Sequence, residues 1–120
     1  TVVKYDIKTD GKKIITIPPS KYLLATTIEV INLPLNIVGI IRPRGTLFRS
    51  GITLSTGQIN PGYNGTQTFA LYNASHHPFK LQLGARIAHV LFLKVQGTTA
   101  AYRGQWQHGR VSTETVEKQV

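Results

Sequence analysis

GQINPGYNGTQTFALYN, Gly57 to Asn73, reads as a tight turn feeding a strand. Pro61-Gly62 has the turn chemistry: a fixed φ followed by a residue that tolerates positive φ. Asn64-Gly65 repeats the signal, as a dipeptide of the kind that closes a two-residue hairpin. Tyr63 sits between them on the bend. Thr66, Thr68 and Tyr72 then suit a pleated strand. A rigid hairpin with backbone groups and one ring at its mouth suits a small planar ligand; a hairpin that only builds a sheet is the plainer alternative.

Outward from this stretch the chain is a series of short strands. Ile14 to Ile17 is apolar and stopped by Pro18-Pro19, and Tyr22 to Ile31 is rich in Thr, Ile and Val. Leu33-Pro34 breaks that run, and Ile37 to Ile41 ends at Arg42-Pro43. Thr46 to Arg49 has room for one helical turn, and Gly51 to Leu54 reads as a strand. Phe79, Leu81 and Leu83 alternate with Lys80 and Gln82, the period of a half-buried strand. After a turn at Gly84, Ile87 to Val95 is almost continuously apolar, as in a strand buried on both faces. No stretch keeps a helical period, so the expectation is an all-β sandwich or barrel. Residues 1–95 make one domain, and residues 96–120, polar and Gly/Thr-rich, an arm that cannot build a core of its own.

At 120 residues and 41% hydrophobic content, one modest core is expected. The absence of cysteine excludes a disulfide framework and a thiolate nucleophile. No apolar run is long enough to span a bilayer, and the opening residues do not read as a signal peptide, so no membrane partner is expected. Fourteen Lys and Arg face five Asp and Glu, a net charge of +9. That balance attracts phosphate, on nucleotides or on nucleic acid. The five carboxylates are Asp6, Asp10, Glu29, Glu114 and Glu117, a short supply for acid–base chemistry.

Taken in order, several segments resemble the trimeric dUTPase and dCTP deaminase superfamily. Lys4-Tyr5-Asp6-Ile7 resembles its opening motif, and Leu33-Pro34 its Leu-Pro turn. Pro43-Arg44-Gly45-Thr46-Leu47-Phe48-Arg49 resembles the phosphate-binding segment, usually Pro-Arg-Ser-Ser-Leu-Ala-Arg. Ile59-Asn60-Pro61-Gly62-Tyr63-Asn64-Gly65 resembles the nucleoside-binding hairpin, usually Ile-Asp-Pro-Gly-Tyr-x-Gly. Gly84-Ala85-Arg86-Ile87-Ala88-His89 resembles Gly-x-Arg-Ile-Ala-Gln, and Tyr102-Arg103-Gly104-Gln105-Trp106-Gln107 the tail of the deaminase branch.

The resemblance implies a distorted, jelly-roll-like β-barrel, a homotrimer with sites at subunit interfaces, and deoxyuridine or deoxycytidine nucleotides as ligands. It implies that Arg44, Gly45 and Thr46 cradle phosphates with Arg49 beside them, through guanidinium forks and backbone N–H groups. It implies that Asn60, Gly62 and Tyr63 hold the sugar, that the strand from Thr66 to Leu71 offers backbone groups to the pyrimidine, and that His89 reaches phosphate. Arg86 is implied to be structural. Trp106, Gln107 and Arg110 of the arm are implied to close over the nucleotide. Mg²⁺ is the implied cofactor, carried with the phosphates, and Asp6 the candidate for ordering it or a water.

The chain departs from the pattern where chemistry is done. Asn60 stands where a dUTPase has the Asp that activates water, and an amide accepts no proton near neutral pH. Ala70 stands at the position of the deaminase's catalytic Glu, which excludes deamination by the family route. Gly45 removes one hydroxyl from the phosphate segment. Elsewhere, His76-His77 lacks a third ligand in register, and Ser50 and Ser55 lack a His–Asp partner pattern. Three functions are therefore expected in competition. The first is a deoxynucleotide-binding protein, hydrolysing dUTP to dUMP and pyrophosphate with weakened or lost catalysis, in the cytoplasm. The second is an inactive trimeric structural or regulatory module, for example in a virion. The third is a nucleic-acid binder exploiting the positive charge.

Overall fold

β-branched and aromatic residues dominate the strands because their stiff side chains fit a pleated surface better than a helix. In the computed structural model, which describes residues 11–96, seven strands and one short helix follow in order. They are β1 (Ile14–Ile17), β2 (Tyr22–Asn32), β3 (Ile37–Pro43), α1 (Gly45–Arg49), β4 (Ile52–Ser55), β5 (Asn64–Asn73), β6 (Phe79–Gln82) and β7 (Ala88–Lys94). The fold is all-β and jelly-roll-like, as expected. Among the described residues the strands pair as three antiparallel ladders, β1–β6, β2–β5–β4 and β3–β7, rather than as one continuous closed ladder.

β5 is central. It pairs with β2 from Tyr22↔Tyr72 to Asn32↔Asn64, and with β4 from Ile52↔Asn73 to Ser55↔Ala70. The β2 ladder is broken by a bulge between Thr26 and Val30. The Thr27 hydroxyl fills the gap, accepting from the Gln67 amide (2.9 Å) and donating to the Glu29 carbonyl (2.8 Å). Alternate β5 residues point inward, so Phe69 and Leu71 join Ile17, Leu47 and Ile52 in one buried cluster. A second cluster, Leu33, Ile41, Ile59 and Tyr63, lies under the β3–β7 pair. Leu54 packs against both.

Two expectations are corrected. Asn64-Gly65 does not turn the chain: both residues lie in β5, opposite Asn32 and Ile31. The bend is made one step earlier, where Gly62 has φ +81° and the Tyr63 amide donates to the Asn60 carbonyl (3.1 Å). β7 is not buried on both faces: Leu91, Phe92 and Leu93 are 53%, 55% and 49% exposed. β7 has β3 as its ladder partner, and Leu91 and Leu93, on one face of that pair, are about half exposed. No helix among the described residues is long and apolar enough to cross a membrane.

Candidate functional site

The turn before β5 is fixed from three sides. The Gly62 amide donates to the carbonyls of Leu33 (3.1 Å) and Pro34 (3.3 Å), and the Leu33 amide donates to the Tyr63 carbonyl (2.9 Å). Ile59 bridges Gly39 of β3, with amide–carbonyl bonds of 2.8 and 2.9 Å in the two directions. The close approach needs a glycine on β3, since a Cβ at position 39 would stand 3.0 Å from the Ile59 side chain. These bonds seat Tyr63 in the core beside Leu33, Ile41 and Ile59, its hydroxyl donating to the Thr66 carbonyl. Asn60 is half-buried, its Oδ1 accepting from Gln58 Nε2 at 3.1 Å.

β4 reaches only the Ala70 end of β5, so the edge at Thr66 and Thr68 meets side-chain hydroxyls instead of a strand. Tyr63 donates to the carbonyl of Thr66, and Thr56 Oγ1 to that of Thr68 (3.4 Å). The Thr68 hydroxyl and Gln67 Oε1 are buried and find no partner among the described residues. Ala70 is half-buried, with Leu24 opposite it on β2 and Ser55 on β4.

The cationic residues gather at the other end of the β3–β7 pair. Pro43 cannot donate to a ladder, which suits its place as the last residue of β3, opposite Ala88. Arg44 is the N-cap of α1, with extended backbone (φ −71°, ψ 155°). Its amide donates to the Ile87 carbonyl (2.9 Å) and its Nη1 to the Arg86 carbonyl (3.2 Å). Arg86 is thus a neighbour of Arg44 through its backbone. Gly45, Thr46 and Arg49 are exposed on α1, while Leu47 anchors the helix in the core. His89 is exposed on β7 directly opposite Arg42.

The structure therefore brings Arg44, Arg86 and His89 to one end of the β3–β7 pair, with Thr46 and Arg49 on the adjoining helix. Asn60, Gly62 and Tyr63 form a second group, under the inner face of the same pair. Among the described residues no hydrogen bond links Arg44 to Asn60. Asp6, Trp106, Gln107 and Arg110 lie outside the described residues.

Sequence reasoning missed Arg42 and Phe48, which line an open cleft of about 320 Å³ beside α1 and β4. It also missed Asn73, a polar residue on the inward period of β5 that organises the loop after it. Its position two residues beyond Leu71 was the available signal.

The model of a family described as dCTP deaminase-like matches residues 3–95. The chain belongs to the dCTP deaminase-like family. It is 37% identical over 103 residues to a dCTP deaminase of Pyrococcus furiosus, covering 85% of this chain and 65% of that protein. It is 35% identical over 99 residues to a "dCTP deaminase, dUMP-forming" of Sulfurihydrogenibium sp., covering 81% of this chain and 55% of the relative. The chain thus spans a little under two thirds, or less, of the length of these curated relatives. Among solved structures, the native dUTPase of EIAV superposes with a TM-score of 0.64 at 22% identity, covering 78% of each chain. A dUTPase of Staphylococcus bacteriophage 80alpha, solved with dUpNHpp, gives 0.55 at 16% identity, covering 98% of this chain and 86% of that one. These two likenesses are of fold. Within the dCTP deaminase-like domain, Glu29 is the one carboxylate among the described residues, and it lies exposed on β2.

Proposed function

We propose that this protein binds deoxyuridine or deoxycytidine nucleotides as a homotrimer, and that it has lost the deamination chemistry of its relatives. The observation that carries this reading is the pairing of a locked turn with an emptied catalytic position. The Asn60–Tyr63 bend is held by bonds to Leu33 and Pro34, while the side chain between Leu24 and Ser55 is the methyl of Ala70. A methyl group neither gives nor takes a proton, so water attack on an aminopyrimidine has no base there.

In this reading Arg44 and Arg49 neutralise phosphate charge, and the Thr46 hydroxyl adds a hydrogen bond to a phosphate oxygen. Asn60 binds the sugar through its amide. Hydrolysis of dUTP to dUMP and pyrophosphate is slow, because an amide orders a water without accepting its proton. Magnesium prefers carboxylate and phosphate oxygens. Among the described residues no group of three or more His, Cys, Asp or Glu is gathered to hold a metal. The described residues do not form a metal site of their own.

The homotrimer reading is supported by the outer face of the β3–β7 pair. Val38 and Ile40 on β3, both half-buried, stand opposite the exposed Leu93 and Leu91 on β7. Exposed apolar faces of this kind mark association surfaces.

Calorimetric titration with dUTP, dCTP, dUMP and dTTP tests the binding reading, alongside assays for pyrophosphate and ammonia. Binding of a deoxynucleotide with no ammonia release is the expected result. Failure of every deoxynucleotide to bind, at any protein concentration, overturns the proposal and leaves the scaffold without chemistry. That second reading is favoured by Glu29 being the one carboxylate among the described residues.

A further inference from the structure

Glu29 faces nine lysines and arginines within residues 11–96. With a single carboxylate to oppose them, the positive field extends over distances of the order of the Debye length and draws polyanions to the surface. One groove on that surface has the shape to use it. It runs between the end of β3, α1 and β4, and its lining includes Arg42, Phe48, Ile52, Thr53 and Leu54. Half-buried Leu54 gives the groove an apolar floor, and Ile52, in the same lining, is fully buried.

Phe48 is the notable wall. It is 56% exposed, although the adjacent Leu47 is buried. The Arg49 guanidinium lies 5.9 Å from the ring centroid, within cation–π range. Arg42 shares the groove with the ring and has His89 beside it on β7. Arg44 and Arg86 continue the positive charge past the end of β3.

An exposed ring alone is unremarkable. A ring flanked by two guanidinium groups, over an apolar floor, in a stretch (residues 11–96) that holds a single carboxylate, is the combination that single-stranded nucleic acid requires. Bases stack on the ring whatever their identity, and the cations track the backbone. A duplex offers no free base face. A lone nucleotide would leave most of the cationic surface unpaired.

We propose that the groove between α1 and β4 binds single-stranded nucleic acid. A base stacks on Phe48 while neighbouring phosphates pair with Arg42 and Arg49. The groove shares Arg49 with the deoxynucleotide reading, while Phe48 and Arg42 belong to the groove alone.

The test is anisotropy of a labelled oligothymidylate titrated with the whole chain at several salt concentrations. Binding should weaken with salt, with a log–log slope of about −0.7 per phosphate neutralised. Phe48→Leu keeps an apolar side chain and should weaken binding roughly 5-fold or more, as should Phe48→Ala. Phe48→Trp should retain binding, with its emission quenched relative to the Trp106 background. Arg42→Gln should flatten the salt slope by about 0.7. The proposal is overturned by an absence of binding at low salt. It is equally overturned if Phe48→Leu and Arg42→Gln bind as the parent does, because the attraction is then diffuse charge. Binding to anionic phospholipid vesicles but not to the oligonucleotide would also overturn it. Deoxynucleotide titrations on the same variants keep this outcome separate from that of the proposed function.

Discussion

Asn73 Nδ2 lies 2.9 Å from the carbonyl oxygen of Ile17 and ties the end of β5 to the end of β1 across 56 positions of sequence. The same amide donates to the His77 carbonyl at 2.8 Å. Asn73 Oδ1 accepts from the Ser75 amide at 2.9 Å and from the Ser75 hydroxyl at 2.7 Å. The side chain is fully buried with its hydrogen-bonding capacity used on both atoms. Asn73→Ala removes the side-chain donor to the Ile17 carbonyl and the acceptor of the Ser75 amide, while the His77 carbonyl keeps the Ser75 hydroxyl (2.9 Å), and should cost about 2–4 kcal/mol. Asn73→Asp should cost more, since a carboxylate cannot donate to Ile17 or His77 and a charge is buried. Urea unfolding of the two variants checks both the size and the order.

Gly51 turns the chain out of α1 into β4 with φ +82°, and a Cβ there would lie 2.7 Å from Ser75 Cβ. Gly51→Ala therefore suffers twice, through backbone strain of about 1 kcal/mol and through a clash that must move the loop after β5. Gly51→Ala combined with Ser75→Gly relieves only the clash. In a thermal double-mutant cycle, Gly51→Ala should therefore cost less in the Ser75→Gly background than in the parent, while the cost of the backbone strain remains.

Much of this fold was legible because its strands alternate or run apolar between strong breakers. Phe79 to Gln82 and Ile14 to Ile17 lie where the pattern puts them. The single helical turn sits at Gly45–Arg49, one residue earlier than Thr46. What misled was local chemistry overridden by pairing. Asn64-Gly65 has the composition of a turn, but β2 supplies ladder partners for both residues and holds them extended. Ile87 to Val95 has the composition of a core strand, but Leu91, Phe92 and Leu93 are about half exposed, which sequence periodicity cannot register. The site motifs were visible one by one. That Arg44 reaches the Arg86 carbonyl, or that Tyr63 packs beneath β3, depends on contacts distant in sequence.

Self-association should depend on the face of β3–β7 that carries the exposed Leu91 and Leu93. Leu93 lies opposite Val38 and is half exposed, so Leu93→Lys leaves the described core untouched while placing a charge in the proposed contact. Burial of an unpaired ammonium is costly, by several kcal/mol per ion, so the assembly should dissociate. Light scattering after size exclusion should show a trimer for the parent and a smaller species for the variant. A parent that stays monomeric at high concentration removes the trimer from the proposal.

Asn60 is the position at which the proposed loss of hydrolysis should be reversible. Its Oδ1 already accepts from Gln58 Nε2, so an aspartate could keep that bond with one oxygen and leave the other free to take a proton from water. Asn60→Asp changes charge without changing volume, and the bonds that hold the bend come from backbone atoms of Leu33, Pro34 and Gly39. The fold should therefore survive. A positioned general base contributes about 10²–10⁴ in rate, and dUTP hydrolysis by Asn60→Asp should rise within that range. Affinity for dUTP should change little, so the gain should appear in kcat and leave KM near its parent value. Pyrophosphate release measured over a substrate series separates the two. If dUTP binds the variant normally and is still not cleaved, the missing base is not what silences the site, and the weakened-dUTPase part of the proposal falls while nucleotide binding stands.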